Sequence, residues 1–254
     1  MANNNIIALW GSPGSGTTLT SVKIARELAS CRKNVVLIFC DSETPMLPVI
    51  VPSAEDAKSL GELLAMPSIS QVDIFTHCLP IWKTLTALGY LKGENETSWA
   101  DYSEGRAEEL LDMLGSSADF IVLDCSHHLL TNVLTGVALE TAGTVFRIAN
   151  ASPKSLSYIS SQRPILSDPK FRYGEQVSII NNIYPFQDAP TYKNLIGGKK
   201  IYTLPHLLPL MGQAAECRLL EPLEGRDGKA YEPKIRLIVQ SEILGKAAGR
   251  KDTA

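Results

Sequence analysis

Ile6-Ile7-Ala8-Leu9-Trp10-Gly11-Ser12-Pro13-Gly14-Ser15-Gly16-Thr17-Thr18 is an apolar run that stops at a glycine-rich loop, and its reading decides the fold. Five consecutive apolar residues suit a strand buried on both faces. The residues from Thr18 to Ser30 then show helical spacing, with Leu19, Val22, Ile24, Ala25 and Leu28 apolar. Val35–Phe39 is a second apolar run, ending in Cys40-Asp41. Strand, tight loop, helix and strand make a βαβ unit, whose crossover is right-handed by rule.

Working outward, Ala54–Ala65 reads as a helix, Gln71–Thr76 as a short strand and Pro80–Leu88 as a helix. Gly89–Trp99 is polar and reads as a loop, and Glu104–Leu114 as an amphipathic helix. Strands are predicted at Phe120–Leu123, Thr144–Ala149, Val177–Ile180 and Lys200–Leu204. Helices are predicted from Lys154 and over Tyr231–Lys246. About seven strands alternating with helices predict an α/β fold: a doubly wound, mostly parallel sheet with helices on both faces. All 254 residues are read as one domain.

Composition narrows the class. With 44% hydrophobic and 20% charged residues the chain reads as globular, and a net charge of −3 argues against a whole-domain footprint for nucleic acid while leaving a local basic patch open. The five cysteines, Cys31, Cys40, Cys78, Cys125 and Cys217, form no C-x-x-C pair. They read as free buried thiols of a reducing compartment. His77-Cys78 and His127-His128 are adjacent pairs without ligand spacing, so no zinc site is expected from them. The polar start and the short first apolar run predict neither a signal segment nor a membrane span, and the expected location is the cytoplasm.

The loop carries the chemistry. Gly11 to Thr18 fits G-x-x-x-x-G-[K]-[ST] except that Thr17 stands at the lysine. Gly11, Gly14 and Gly16 let the backbone N–H groups of Ser12, Ser15, Thr17 and their neighbours turn around a phosphate, and the following helix N-terminus favours an anion. The hydroxyl of Thr18 stands where a Mg²⁺ ligand belongs. Asp124 ends an apolar strand, as a Mg²⁺-supporting aspartate does, although a helix cap or turn also suits an aspartate there. Asp41 ends the second strand, where it could orient an attacking water or help hold the ion; a loop aspartate bonding its own backbone is the plainer reading.

Together these residues resemble the MinD/ParA family of P-loop ATPases along nearly the whole chain. The resemblance implies ATP or ADP with Mg²⁺ as ligands, Asp41 as the water-positioning residue, Asn181 as the amide that reads adenine and Pro205 as backbone against the base. The family loop reads K-G-G-V-G-K-T-T. Its two lysines fall at Ser12 and Thr17, and its T-P-P-G after Asp124 is Cys125-Ser126-His127-His128. One family lysine reaches its own β/γ-phosphates; the other crosses a sandwich homodimer. Without them, slow or absent hydrolysis is expected, since trans-acting cations are worth roughly 10³–10⁵ in rate.

The eroded loop is similar in character to TadZ-type members, which position pilus or secretion machinery. Those carry a receiver-like domain before the loop, and with the loop starting at Gly11 none is expected here. An accessory protein of a conjugation or partition complex is the alternative placement. The competing functions are a nucleotide-dependent localisation factor, an active ATPase with an unusual loop, and a structural protein that kept the fold. The last helix carries Lys234, Arg236, Lys246, Arg250 and Lys251, but Ile235, Ile238, Val239 and Ile243 make an ordinary core stripe, so membrane contact is expected to be peripheral if present.

Overall fold

The computed structural model describes residues 3–53 and 57–245. The elements run β1 Asn3–Gly11, α1 Thr17–Ser30, β2 Val35–Phe39, α2 Leu47–Ile50, α3 Leu60–Ala65, α4 Gln71–His77, β3 Leu79–Trp82, β4 Leu85–Gly89, α5 Glu104–Ser117 and β5 Phe120–Asp124. They continue with α6 Val133–Thr141, β6 Ala142–Asn150, α7 Pro153–Gln162, β7 Val177–Ile183, α8 Ala189–Ile196, β8 Ile201–Pro205, α9 Leu208–Ala215 and α10 Gly225–Val239. The eight strands form one sheet in the order β3-β4-β2-β5-β1-β6-β7-β8, with β3 alone antiparallel.

Period-2 alternation explains why β1 is apolar throughout. Ile6, Ala8 and Trp10 enter one core, Ile7 and Leu9 the other. The first core is closed by α3, α5, α6 and α7 through Leu63, Leu111, Ala138 and Ile159. The second is closed by α1, α9 and α10 through Val22, Ile24, Leu28, Leu210, Tyr231 and Ile235. Both faces are therefore covered, as predicted. Beyond β1 the chain fills one side of the sheet with β2 to β5 and then the other with β6 to β8. The order thus reverses at β1, and the carboxyl ends of β1, β2, β5, β6 and β7 open on one rim.

Two segments differ from the sequence reading. Gln71–Thr76 is not a strand but lies in α4, because Ser70 and Asp73 close a capping box: Asp73 N–H donates to Ser70 Oγ (3.3 Å) and Ser70 N–H to Asp73 Oδ2 (2.8 Å). The alternation that suggested a strand leaves Val72 and Phe75 exposed and buries Ile74. Pro80–Leu88 is not a helix but the β3–β4 pair. Leu85 and Ala87 reach one core and Leu88 the other, and β4 pairs in parallel register with β2 from Val35↔Leu85 to Phe39↔Gly89. The sheet needed those residues to cover the side of β2 that its backbone left open.

The predicted helix from Ala54 begins at Leu60, with 54–56 outside the described residues. The closing helix starts earlier than predicted, at Gly225, and continues past Val239 as a π turn over Gln240–Leu244; Lys246, Arg250 and Lys251 lie outside the described residues. Its stripe of Ile235, Ile238, Val239 and Ile243 is fully buried, so that face packs inside the protein. Among the described residues no helix is long and apolar enough to cross a membrane. All five cysteines are free; Cys40 and Cys125 are buried, whereas Cys31, Cys78 and Cys217 are only partly so. Ser70→Ala should cost about 1 kcal/mol by opening the box, read as a lowered urea midpoint with an unchanged slope.

Candidate functional site

The loop is shaped by what surrounds it. A Cβ on Gly11 would stand 2.3 Å from the carbonyl oxygen of Ile148, so β1 can end against β6 only as glycine. Gly14 and Gly16 sit at φ +76° and +86°, in the left-handed region, and a Cβ on Gly16 would meet Asn181 Nδ2 at 2.3 Å. Inside the turn, Ser15 N–H donates to the Ser12 carbonyl (2.9 Å). From outside, Asn181 Nδ2 donates to the Ser15 carbonyl (3.0 Å). At the N-terminus of α1 the cap is Gly16, with no side-chain cap bond and no acidic residue in the first turn. The first amides of that helix are therefore left for an anion.

Neither residue at the family's lysine positions reaches out as a cation would. Ser12 is 2% exposed and shares a 2.7 Å hydrogen bond with Ser155 at the start of α7. Thr17 Oγ1 contacts Ser15 Oγ at 3.3 Å. The next lysine along the chain, Lys23, is turned into the α9 side, donating to Gln213 Oε1 (2.8 Å) and the Glu221 carbonyl (2.7 Å); burial and the nearby Arg26 lower its pKa to about 8.

Asp124 lies beneath the loop, 4% exposed. Burial pushes its pKa up to about 7, against the hydrogen bonds from Thr18 and Ser21, the latter 3.1 Å to Oδ1. A desolvated carboxylate beside two hydroxyls is the donor set of a Mg²⁺ site, and the oxygen chemistry fits that hard cation. Thr18 and Asp124 would hold it. Asp41 bonds its own backbone, as the plainer reading has it: Oδ1 accepts the Glu43 and Thr44 N–H groups (2.9 and 3.1 Å), while Oδ2 accepts from Ser126 Oγ at 3.4 Å across the gap to the β5 loop.

Beside the loop a cleft of about 220 Å³ is lined by Gly14, Gly16, Asn181, Asn182, Leu207 and Met211 among others. The structure thus brings Gly11, Ser12, Gly14, Ser15, Gly16, Thr17, Thr18, Asp41, Asp124 and Asn181 to one rim. Asn181 is buried with its amide on the loop carbonyl, and Pro205 ends β8 beside Ile183, where His206 N–H donates to the Ile183 carbonyl (2.8 Å). Residues the sequence reading missed are Asn182, which lines the cleft and binds His206 Nδ1 at 2.6 Å, and Ser21, one helical turn beyond Thr18. The i, i+3 spacing on α1 could have signalled Ser21; nothing in the sequence signals Asn182.

A strand–loop–helix with a Mg²⁺-type carboxylate under it, at the rim where strand order reverses, defines a P-loop α/β fold. No protein-family model and no curated protein matches the sequence. Solved structures match throughout. A ParA family ATPase from Chlorobium tepidum has a TM-score of 0.75 at 13% identity, covering 92% of this chain and 99% of its own. The septum site-determining protein MinD from Pyrococcus horikoshii, complexed with Mg-ADP, scores 0.70 at 14% identity over 92% and 95%. MinD in the MinC:MinD cell division complex of Aquifex aeolicus scores 0.70 at 14% over 94% and 97%. The fold is that of the MinD/ParA P-loop ATPases.

Burial of Asp124 makes a pH prediction. The folded chain keeps this proton up to about pH 7, whereas the unfolded carboxyl loses it near 3.8. Between those values the folded state binds more protons, so stability falls as pH rises through the window. Asp124→Asn removes that slope. At pH 8 without added ligand it should be more stable than the wild type by roughly 1–3 kcal/mol, the difference shrinking toward pH 4. Denaturant titrations at the two pH values decide it.

Proposed function

We propose that the chain is an ATP- or ADP-binding localisation or assembly factor of the MinD/ParA type, working as a switch with slow or absent turnover. The observation that carries the reading is the open amide nest of Gly11–Thr18 set directly over the buried, hydroxyl-bonded Asp124. It would take the phosphates on the backbone and Mg²⁺ on Thr18 and Asp124. Asp41 would face the water side, and the cleft lined by Asn181, Asn182 and Leu207, two residues beyond Pro205, would take the base. Nucleotide in the Mg-ADP structure of P. horikoshii MinD supports the assignment by analogy of fold.

Slow turnover is supported by Ser12 and Thr17. Phosphoryl transfer relies on electrostatic stabilisation of developing charge, and neither side chain supplies any. The buried Ser12–Ser155 contact leaves nothing at position 12 to cross to a second copy. A homodimer on this reading is held by other surfaces and does not respond to ATP. The partners would be proteins, as MinC is for the A. aeolicus MinD. A cytoplasmic protein serving a pilus, secretion or conjugation machine is the process proposed; its support is the likeness of the eroded loop to TadZ-type members.

Calorimetry with Mg-ATP and Mg-ADP should show weak binding, abolished in Gly16→Val and strengthened in Thr17→Lys. The added ammonium would be worth about 1.5–3 kcal/mol, roughly ten- to a hundredfold in affinity. Absence of binding at millimolar nucleotide in both wild type and Thr17→Lys would refute the reading. Light scattering with and without Mg-ATP should show no change in mass. ATPase turnover equal to that of a lysine-bearing relative would remove the slow-switch part.

A further inference from the structure

The loops that follow β2 and β5 meet in front of Asp41, and there Glu43, His127 and His128 converge. Their ligand atoms all lie within 4.8 Å of one another. Nε2 of His128 is 3.0 Å from Oε1 of Glu43, and the two imidazole centroids are 4.0 Å apart. Oδ2 of Asp41 lies 3.5 Å from Nδ1 of His127. We propose that Glu43, His127 and His128 form a binding site for a divalent transition metal of the Zn²⁺ class, with Asp41 supporting His127 from behind.

Adjacent pairs lack zinc-ligand spacing, and on that ground no zinc site is expected from His127-His128. After β5, however, His127 and His128 lie in neither strand nor helix; the chain turns there, and both rings come to one side. The turn is held by hydrogen bonds that do not involve the imidazoles. His128 N–H donates to Ser126 Oγ (3.2 Å), Ser126 N–H to Thr135 Oγ1 (3.0 Å), and the Tyr158 hydroxyl to the His127 carbonyl. Asn132 Nδ2 ties the same segment to the Cys40 carbonyl (2.8 Å), fixing it against the loop that carries Asp41 and Glu43. The backbone that carries the rings is thus held by contacts other than the rings' own.

Chemistry selects the ion. Bond lengths of about 2.0–2.1 Å in a tetrahedral site put ligand atoms roughly 3.3–3.5 Å apart, which small side-chain rotations reach from the observed spacing. Two imidazoles and one carboxylate suit Zn²⁺, Ni²⁺ or Cu²⁺ and not Mg²⁺, which takes oxygens. Three protein ligands leave a fourth position for water or a ligand oxygen. A carboxylate behind a metal-bound imidazole orients the ring and raises its basicity, which is the place Asp41 occupies. The side chains of Glu43, His127 and His128 are each between 33% and 43% exposed, so an ion can enter without unfolding. Bound there, the metal would clamp the β2 and β5 loops together.

The test uses the full chain, stripped of metal, without nucleotide, so that its outcome is separate from the nucleotide reading. Calorimetry with ZnCl₂ should show a single site. His128→Ala and Glu43→Gln should remove most of the binding, and Asp41→Asn should weaken it roughly tenfold. Zn²⁺ should raise the Tm of the wild type and leave that of His128→Ala unmoved, while circular dichroism shows both folded. Co²⁺ should give ligand-field bands of a nitrogen–oxygen site. No Zn²⁺ binding at millimolar metal, binding unchanged in a His127→Ala/His128→Ala double variant, or a Co²⁺ thiolate charge-transfer band would each overturn the proposal.

Discussion

Gly11 is pressed against the carbonyl of Ile148, and the rest of the rim follows from that contact. β1 must lie beside β6 to fill the sheet, and its last residue has no room for a side chain. The chain therefore leaves the sheet through a turn of glycines at positive φ, which only glycine adopts without strain. That turn aims the N-terminus of α1 back at the rim, directly above Asp124 on the neighbouring strand. The open helix N-terminus and the carboxylate beneath it are thus two consequences of one backbone approach. The pairing Leu9↔Asp124 between β1 and β5 fixes how far apart they stand.

A second consequence is electrostatic. Asp124 is desolvated, and Asp41 and Glu43 lie on the adjoining loop, so the described rim carries several carboxylates and no lysine or arginine hydrogen-bonded to the phosphate loop. In a lysine-bearing loop, cation and metal share the neutralisation of a polyphosphate. In the proposed nucleotide site that work would fall on backbone dipoles and on a bound metal. Point charges bind phosphate at short range; a nest of amides gives a broader, weaker field. On the reading proposed above, such a site would suit occupancy as a signal better than stabilisation of a fleeting transition state.

How much of this the sequence disclosed depends on how local each cause was. β1, β2 and β5 were legible because burial on both faces leaves an unbroken apolar run, and β6 and β7 because only Arg147 and Ser178 interrupt theirs. The loop and α1 were legible because glycine spacing is itself the mechanism. The stretch from Gln71 to Gly89 was not. Its strands are short and mixed, and Leu85-Thr86-Ala87-Leu88 becomes a strand only because β2 offers an unpaired edge. The capping box at Ser70 and Asp73 was visible in sequence but outweighed by the alternation of Val72, Ile74 and Thr76. Val133–Thr141 went unread because it is apolar nearly all round and buried through its middle at Leu134, Thr135, Val137, Ala138 and Leu139, and α8 and α9 are brief and proline-led.

Site residues divide along the same line. Thr18, Asp124 and Asp41 sit at or just beyond the ends of α1, β5 and β2, three neighbouring elements, so their common place was legible from strand and helix ends. The His127-His128 pair illustrates the opposite case. Its spacing excludes a ligand set on any regular element, yet the segment after β5 is pinned by Ser126, Asn132 and Tyr158 into a turn that no propensity encodes. Glu43 reaches it only because β2 and β5 are hydrogen-bonded neighbours, from Val35↔Phe120 to Phe39↔Asp124. A relative with T-P-P-G in place of Cys125-Ser126-His127-His128 would have no imidazole to present there. Cys125-Ser126-His127-His128 thus sets two imidazoles on the rim where Ser12 and Thr17 also stand.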